Sequence, residues 1–267
     1  FAKIIFIIMR NLLFLIFLTF LISCKPETHQ ETRIQEDVTY LASEKLEGRQ
    51  TGTRGEKKAA KYIQNRFKEL ELSPKGTQGF LQAFTFLPKT NPHEDVKFDV
   101  NGDGTITGNN VLGFIDNNAE NTVIIGAHYD HLGFGGEGSL YRDTLKAIHN
   151  GADDNASGVA VMLDLAAKLK TKNTRNNYLF IAFSGEEMGL LGSNYFVKNP
   201  TLDIKKVSYM INMDMVGRLK KDSTLAVYGT SNGSLKTKNE LPLFLKGETR
   251  QDQTSSNDYV KVELPFN

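Results

Sequence analysis

Histidine and acidic residues follow three apolar runs of the sequence, each with the length and composition of a buried strand. They are His128 and Asp130 after residues 122–127, Glu186 and Glu187 after 178–183, and Asp214 after 207–213. Because ligands of an open α/β sheet gather beyond the carboxyl ends of its strands, we expect these side chains to meet at one edge. A glycine-flanked loop, residues 151–158, adds Asp153 and Asp154 just before a predicted helix.

This group of carboxylates with an imidazole predicts a divalent metal site. Each acid has another use when taken singly, because Glu186 and Glu187 suit the N-terminus of the following helix and Asp153 suits the cap of another. Together at one edge, however, the acids would repel one another unless a cation held them. Mixed histidine and carboxylate ligands are typical of zinc and related ions. The adjacent Glu186 and Glu187 can then act separately, one as base and one as ligand.

Other hydrolytic and binding classes lack their motifs in this sequence. His93-Glu94 has no second histidine four residues after the first, which excludes the helical zinc motif His-Glu-x-x-His. No Gly-x-Ser-x-Gly segment is present, so a serine hydrolase of that type is disfavoured. A formal charge of +1, from 32 basic and 31 acidic residues, provides no overall field that would attract nucleic acid.

The spacing of apolar residues predicts an α/β fold. Thr53 and Glu56 form a capping box before an amphipathic helix that ends at Ser73-Pro74. Strands are predicted at 80–86, 110–115, 122–127, 178–183 and 207–213, and further helices at 157–170 and 190–197. Their alternation predicts three layers, with a mainly parallel, mixed central sheet and helices on both faces.

The N-terminal segment predicts export. Residues 1–22 are almost wholly apolar, and their uncharged part is shorter than the ~20 residues that a membrane-spanning helix needs. The only cysteine, Cys24, follows Leu21-Ile22-Ser23, which resembles a bacterial lipobox. Residues 1–24 are therefore predicted to be a signal peptide, with a lipid on Cys24 anchoring the chain in the cell envelope, and 25–35 a polar tether. An uncleaved anchor is the alternative, and it also places the domain outside the cytoplasm.

Five ordered motifs resemble the co-catalytic dizinc exopeptidases of metallopeptidase family twenty-eight, which includes bacterial leucyl aminopeptidases and glutamate carboxypeptidase II. The motifs are Leu41-Ala42-Ser43 with Leu46-Glu47-Gly48-Arg49, His128-Tyr129-Asp130-His131, residues 151–158, Ser184-Gly185-Glu186-Glu187 and Asn212-Met213-Asp214-Met215. The resemblance runs from about Tyr40 to about Gly229. It implies a zinc-dependent exopeptidase with peptide substrates, an aminopeptidase in the first place, and carboxypeptidases and glutaminyl cyclases share the scaffold.

The resemblance also implies a role for each matching residue. The implied metal ligands are Asp153, which bridges two zinc ions, His128 and Asp214, which complete one of them, and Glu187, which binds the other. Glu186 is implied as the general base, and Asp130 as the carboxylate that orients the imidazole of His128. Asp154 is expected to follow a cis peptide bond.

The family's remaining ligand, a histidine in a Ser-Asp-His segment, has no match in this sequence. The nearest segment, Ser256-Asn257-Asp258-Tyr259, contains no histidine. Residues 36–233 therefore resemble an incomplete peptidase domain, whereas 234–267 indicate no clear strand or helix and are predicted to be a divergent or frame-shifted tail. The second zinc site is expected to lack its imidazole and to bind weakly. A non-catalytic lipoprotein with a degenerate metal site is the alternative of a different class.

Overall fold

The structure is a computed structural model that describes residues 29–88, 95–136, 139–141, 145–172, 175–218, 224–228 and 259–263. The chain divides into two compact units, residues 1–33 and 34–267. The predicted signal peptide with Cys24, and residues 25–28 of the predicted tether, lie outside the described residues. Within the described ranges, no helix combines the length and the apolarity that crossing a membrane requires.

The described residues form helices and strands in alternation after an N-terminal helical part. The α-helices are α1 (His29–Leu41), α2 (Arg54–Glu69), α3 (Gly158–Lys172) and α4 (Leu191–Lys198). The strands are β1 (Ser73–Pro74), β2 (Leu81–Phe86), β3 (Ile106–Ile115), β4 (Thr122–His128), β5 (Asn177–Phe183), β6 (Val207–Asn212), β7 (Thr224–Tyr228) and β8 (Tyr259–Glu263). The shorter helical segments are two 3-10 turns, Glu44–Arg49 and Ile204–Lys206, and one π-helical turn, Ala152–Ser157.

One mixed sheet of six strands organises the fold. Its order is β1-β3-β5-β4-β6, and β2 also pairs with β3. β4 runs parallel to both β5 and β6, whereas β3 runs antiparallel to β1, β2 and β5. The three parallel strands are therefore neighbours, and their carboxyl ends lie at one edge of the sheet. β7 and β8 form a separate antiparallel pair.

Apolar side chains cover both faces of the six-stranded sheet. Successive residues of a strand point to opposite faces. Accordingly, Ile125 and Phe180 belong to a buried cluster with residues of α2 and α3, whereas Ile124 and Leu179 belong to another with Phe196 of α4. The expected three-layer α/β fold, a mixed sheet with helices on both faces, is confirmed.

Most predicted elements are present, and the two larger differences concern the start of β3 and the tail. As expected, Thr53 caps α2, because its side-chain oxygen accepts a hydrogen bond from the backbone N–H of Glu56. β3 begins earlier than predicted, at Ile106, because the polar residues 107–109 pair with β2 without giving an apolar signal. The tail 234–267 contains the strand Tyr259–Glu263, so the expectation of no clear strand there is wrong for these residues.

Candidate metal centre

Three strand ends and one loop bring the candidate residues together. His128 is the last residue of β4, Glu186 comes shortly after β5, and Asp214 shortly after β6. Since β4 lies between β5 and β6, the segments that follow the three strands leave the sheet side by side. The π-helical turn before α3 contains Asp154 and reaches the same edge.

The first of two candidate ligand groups, called group one, consists of His128, Asp154 and Asp214. His128 Nε2 lies 3.1 Å from Asp154 Oδ1 and 3.5 Å from Asp214 Oδ1. One ligand atom from each of the three residues lies within 4.8 Å of the other two. Zinc binds nitrogen and oxygen ligands at roughly 2.0–2.2 Å, so ligands of one ion have to converge in this manner.

An unpartnered carboxylate oxygen supports a cation at group one. Asp214 Oδ1 is buried and has no hydrogen-bond partner among the described residues. Burying such an oxygen without a partner is unfavourable, and more so when the carboxylate is charged. Because this atom lies 3.5 Å from His128 Nε2, beyond the length of a strong hydrogen bond, and belongs to one group with Asp154, the residues of group one fit a divalent ion.

The second candidate group, group two, consists of His131, Asp154 and Glu187. His131 Nδ1 lies 2.6 Å from Glu187 Oε1. Asp154 belongs to both groups, so its carboxylate occupies the position of a ligand that two ions share. The sequence analysis included His131 in a motif but gave it no role. The feature that could have indicated a ligand there is a second histidine directly after Asp130.

Asp153, the predicted bridging ligand, lies outside both groups, and the structure gives the shared position to Asp154. Asp153 Oδ1 accepts a hydrogen bond of 2.8 Å from the backbone N–H of Gly217, and Oδ2 one of 2.6 Å from Arg218 Nε. Asp154 has the extended angles φ −106° and ψ 95°, and neighbouring side chains of extended backbone point in opposite directions. The cis peptide bond joins Asp154 to Asn155, so Asp154 precedes it, which corrects the expectation that it would follow.

Asp130 is fully buried and connects the segments that follow β4 and β5. Its Oδ1 accepts a hydrogen bond of 3.1 Å from the backbone N–H of Glu186, and its Oδ2 one of 3.3 Å from that of Glu187. His128 Nδ1 lies 3.3 Å from the backbone oxygen of Asp130 and 3.7 Å from its Oδ1. A proton on Nδ1 leaves Nε2 as the ligand atom that faces group one. Asp130 therefore positions both the imidazole and the two glutamates.

Glu186 lies beside group one without belonging to either group. Its Oε2 is 4.0 Å from His128 Nε2, and about a third of its side chain is exposed. Burial, together with the charges of Asp130, Glu187 and Asp214, raises the pKa of Glu186 to about 7, although His128 opposes the shift. A carboxylate whose pKa lies near neutrality suits a general base.

The carboxylates around His128 favour the protonated form of its imidazole when no metal is bound. Its burial lowers the pKa, but the nearby carboxylates of Asp130, Asp154 and Asp214 outweigh that effect. The pKa of His128 therefore lies well above its usual value. This behaviour shows that the carboxylates surrounding His128 create a strongly cation-attracting position, which a divalent ion would occupy more effectively than a proton.

Arg49 is a buried cation whose role the sequence left open, although its motif was noted. Its guanidinium is almost completely buried and donates hydrogen bonds to the backbone oxygens of Leu41, Tyr129, Asn150 and Gly151. Burial lowers the pKa of Arg49 to about 10, so the guanidinium stays charged at neutral pH. These bonds tie the segment after β4 to the loop that carries Asp154.

Comparison with known proteins identifies the family. The model of Peptidase family M28 matches residues 110–261, more than half of the chain. A protein named "Probable leucine aminopeptidase" from Trichophyton verrucosum (strain HKI 0517) is 40% identical over 118 residues, which cover 42% of this chain and 29% of that protein.

Two solved structures share the fold. A Zn-dependent exopeptidase from Parabacteroides distasonis ATCC 8503 gives a TM-score of 0.54 at 20% identity, covering 73% of this chain and 64% of that one. Glutaminyl cyclase from Bacteroides thetaiotaomicron, bound to N-acetylhistamine, gives 0.55 at 18% identity, covering 72% and 63%. This chain thus spans less than two thirds of each of these three relatives. With the match over 110–261 and this arrangement of histidine and carboxylates, the chain belongs to peptidase family M28.

Proposed function

We propose that the chain is a metal-dependent aminopeptidase, an exopeptidase that hydrolyses N-terminal peptide bonds with zinc-activated water. The observation that carries this proposal is the buried, unpartnered Oδ1 of Asp214 within group one, with Glu186 beside it. A pure binding module would need the ligands but has no use for a carboxylate of raised pKa next to them. The name of the Trichophyton relative supports cleavage at the N-terminus of a peptide.

The residues present support a hydrolytic mechanism. Zinc bound by groups one and two would supply Lewis-acid chemistry, which makes water more acidic and polarises the peptide carbonyl. Glu186 accepts the proton of the attacking water and returns it to the leaving amine. Asp130 holds the backbone of Glu186 and Glu187, so that one carboxylate stays free as the base. A pocket of about 260 Å³ opens beside His128, Glu186 and Asp214 and gives the substrate access.

Replacing the base tests the proposal. We expect the zinc-loaded chain to hydrolyse leucine p-nitroanilide but not its N-acetylated analogue, since an aminopeptidase needs a free amino terminus. Glu186→Gln should lower kcat by a factor of about 10²–10⁴, as loss of a general base does, while zinc content stays the same. Glu71→Gln, the same change at an exposed glutamate paired with Lys170, should leave kcat unchanged.

Three outcomes would contradict the aminopeptidase proposal. Cyclisation of an N-terminal glutamine without cleavage would identify a glutaminyl cyclase. Release of C-terminal residues alone would identify a carboxypeptidase. Zinc binding with no turnover of any of these substrates would favour a non-catalytic protein.

Export and lipid attachment form a further part of the proposed function. The apolar run 1–22 and the lipobox-like sequence before Cys24 support a cell-envelope lipoprotein. Cys24→Ser should abolish incorporation of a fatty-acid analogue in a bacterial host, because the thiol is the attachment point. Equal labelling of the variant and the parent chain would contradict this. The divergent or frame-shifted origin of 234–267 stays a prediction, and the family match extends into this tail as far as residue 261.

A further inference from the structure

Group two contains an imidazole that the sequence did not lead us to expect at the second metal site. His131 is 9% exposed, its Nδ1 lies 2.6 Å from Glu187 Oε1, and Asp154 belongs to the same group. The three residues each offer one ligand atom, and these atoms lie within 4.8 Å of one another. One nitrogen and two carboxylates are the donor types that zinc takes in hydrolytic sites.

We propose that His131 is the nitrogen ligand of the second divalent ion, which it binds together with Glu187 and the shared Asp154. The second zinc site then has a nitrogen ligand, the imidazole of His131 from the segment after β4. This differs from the expectation that the second site lacks an imidazole. The inference deepens the proposed function, on which it rests, because it concerns the metals of the same site. It assigns two ions to residues that the structure describes.

The backbone of group two is fixed while its side chains can adjust to an ion. Two ligands of one tetrahedral zinc lie about 3.3 Å apart, so the 2.6 Å contact between His131 Nδ1 and Glu187 Oε1 must open slightly on binding. The backbone N–H of Glu187 donates to Asp130 Oδ2, and that of His131 donates to the backbone oxygen of Arg49. Small rotations of the two side chains therefore suffice, without movement of the main chain.

The competing role for His131 is that of a hydrogen-bond donor that merely orients Glu187. Glutamine in place of His131 retains an N–H donor but is a poor zinc ligand, so this substitution separates the two roles. His149 offers a matched control. Its ring centroid lies 6.3 Å from that of His131, its Nε2 lies 3.2 Å from Ser139 Oγ, and it belongs to neither group.

Zinc stoichiometry of the full chain, measured by titration calorimetry after stripping with chelator, tests the proposal. We expect two zinc ions per chain for the parent protein and for His149→Gln, and one for His131→Gln. The affinity of the lost site should fall by more than about a hundredfold, the upper range seen when a hydrogen-bond partner of a ligand is removed. Circular dichroism verifies that the variants are folded.

A spectroscopic measurement on the parent chain avoids dependence on the variant. In NMR spectra of a chain with ¹⁵N-labelled histidine, zinc binding should remove the proton from Nδ1 of His131. The ¹⁵N resonance of Nδ1 should shift as the second equivalent of zinc is added. Retention of that proton in the zinc-loaded chain, or a His131→Gln variant that still binds two ions with similar affinity, would overturn the proposal. So would a parent chain that binds a single ion.

These readouts are independent of peptide hydrolysis. Two ions in the parent chain and one in His131→Gln, without peptidase activity, would support the ligand and refute the proposed function. Aminopeptidase activity with both ions retained in His131→Gln would do the reverse.

Discussion

Asp153 and Asp154 are adjacent aspartates, and their different surroundings give them different roles. Asp153 is neutralised by Arg218 and bonded to the N–H of Gly217, whereas Asp154 faces His128 and His131. Asp154→Asn should therefore remove zinc from both groups, because it deletes the shared negative ligand. Asp153→Asn should keep zinc and lose some thermal stability. Metal analysis of the two purified variants checks this, and loss of zinc from Asp153→Asn alone would restore the sequence assignment.

Sequence reasoning located this acidic pair but assigned the shared ligand to the wrong member, Asp153 instead of Asp154. Both aspartates lie between Gly151 and a helix, and either could face the metal until the backbone angles at Asp154 are known. The other site residues were easier to place, because each lies at or just after the end of a strand that an apolar run locates. They are His128, Glu186, Glu187 and Asp214. What sequence cannot supply is the rotation of individual side chains within the loop.

Helix α2 is connected to two of the site-bearing strands through one buried carboxylate. Glu56 Oε1 accepts hydrogen bonds from Tyr129 Oη at 2.9 Å and from Ser184 Oγ at 2.5 Å. Its Oε2 accepts one of 2.7 Å from the backbone N–H of Gly52. Tyr129 follows His128, and Ser184 follows β5. Glu56, in the first turn of α2, therefore stabilises the backbone segments that carry the metal-site residues.

Glu56→Gln should destabilise the chain, and the loss should depend on pH. The amide turns one acceptor into a donor, which leaves a buried hydrogen bond unmade at a cost of about 1–3 kcal/mol. Burial raises the pKa of Glu56 despite the opposing hydrogen bonds, so the folded chain binds its proton more tightly than the unfolded chain. The contribution of Glu56 to stability is thus greatest at acid pH and declines as pH rises above 4.5.

Chemical unfolding of the metal-free parent chain and Glu56→Gln at several pH values measures this effect. The difference in unfolding free energy should narrow as pH rises above 4.5, the usual value from which the pKa of Glu56 is displaced upward. Glu69→Gln provides a glutamate control at the exposed end of the same helix, where the difference should not narrow with rising pH, because the ionised carboxylate pairs with Arg66. A gap that widens with pH would mean that ionised Glu56 stabilises the fold.

Secondary structure was predictable where apolar periodicity was strong and less so where polar residues complete an element. The runs 122–127 and 178–183 gave β4 and β5 almost to the residue. The start of β3 escaped notice because residues 107–109 are polar or glycine and belong to the strand through backbone pairing with β2. Such bonding depends on segments distant in sequence, which periodicity does not report.

At the scale of the whole molecule, zinc should stabilise the fold measurably. An ion that binds only the folded chain adds about 2.7 kcal/mol per site when free zinc is a hundredfold above its Kd. For a chain of this length, that corresponds to an increase in Tm of roughly 5–10 °C per site. Differential scanning calorimetry with zinc and with chelator measures the shift. An unchanged Tm in a sample shown to contain zinc would indicate that the ion binds the unfolded chain equally well.

With two divalent ions bound, the buried guanidinium of Arg49 would balance the charge of the carboxylates in and beside the two groups. Apart from Asp153, which pairs with Arg218, the carboxylates in the two groups and directly beside them are those of Asp130, Asp154, Glu186, Glu187 and Asp214. Arg49, whose hydrogen bonds within the described residues go to backbone oxygens, offsets one of these five charges. Two doubly charged cations balance the remaining four. A single ion would leave an excess of negative charge within the protein, so the charge inventory itself favours binding the ions as a pair.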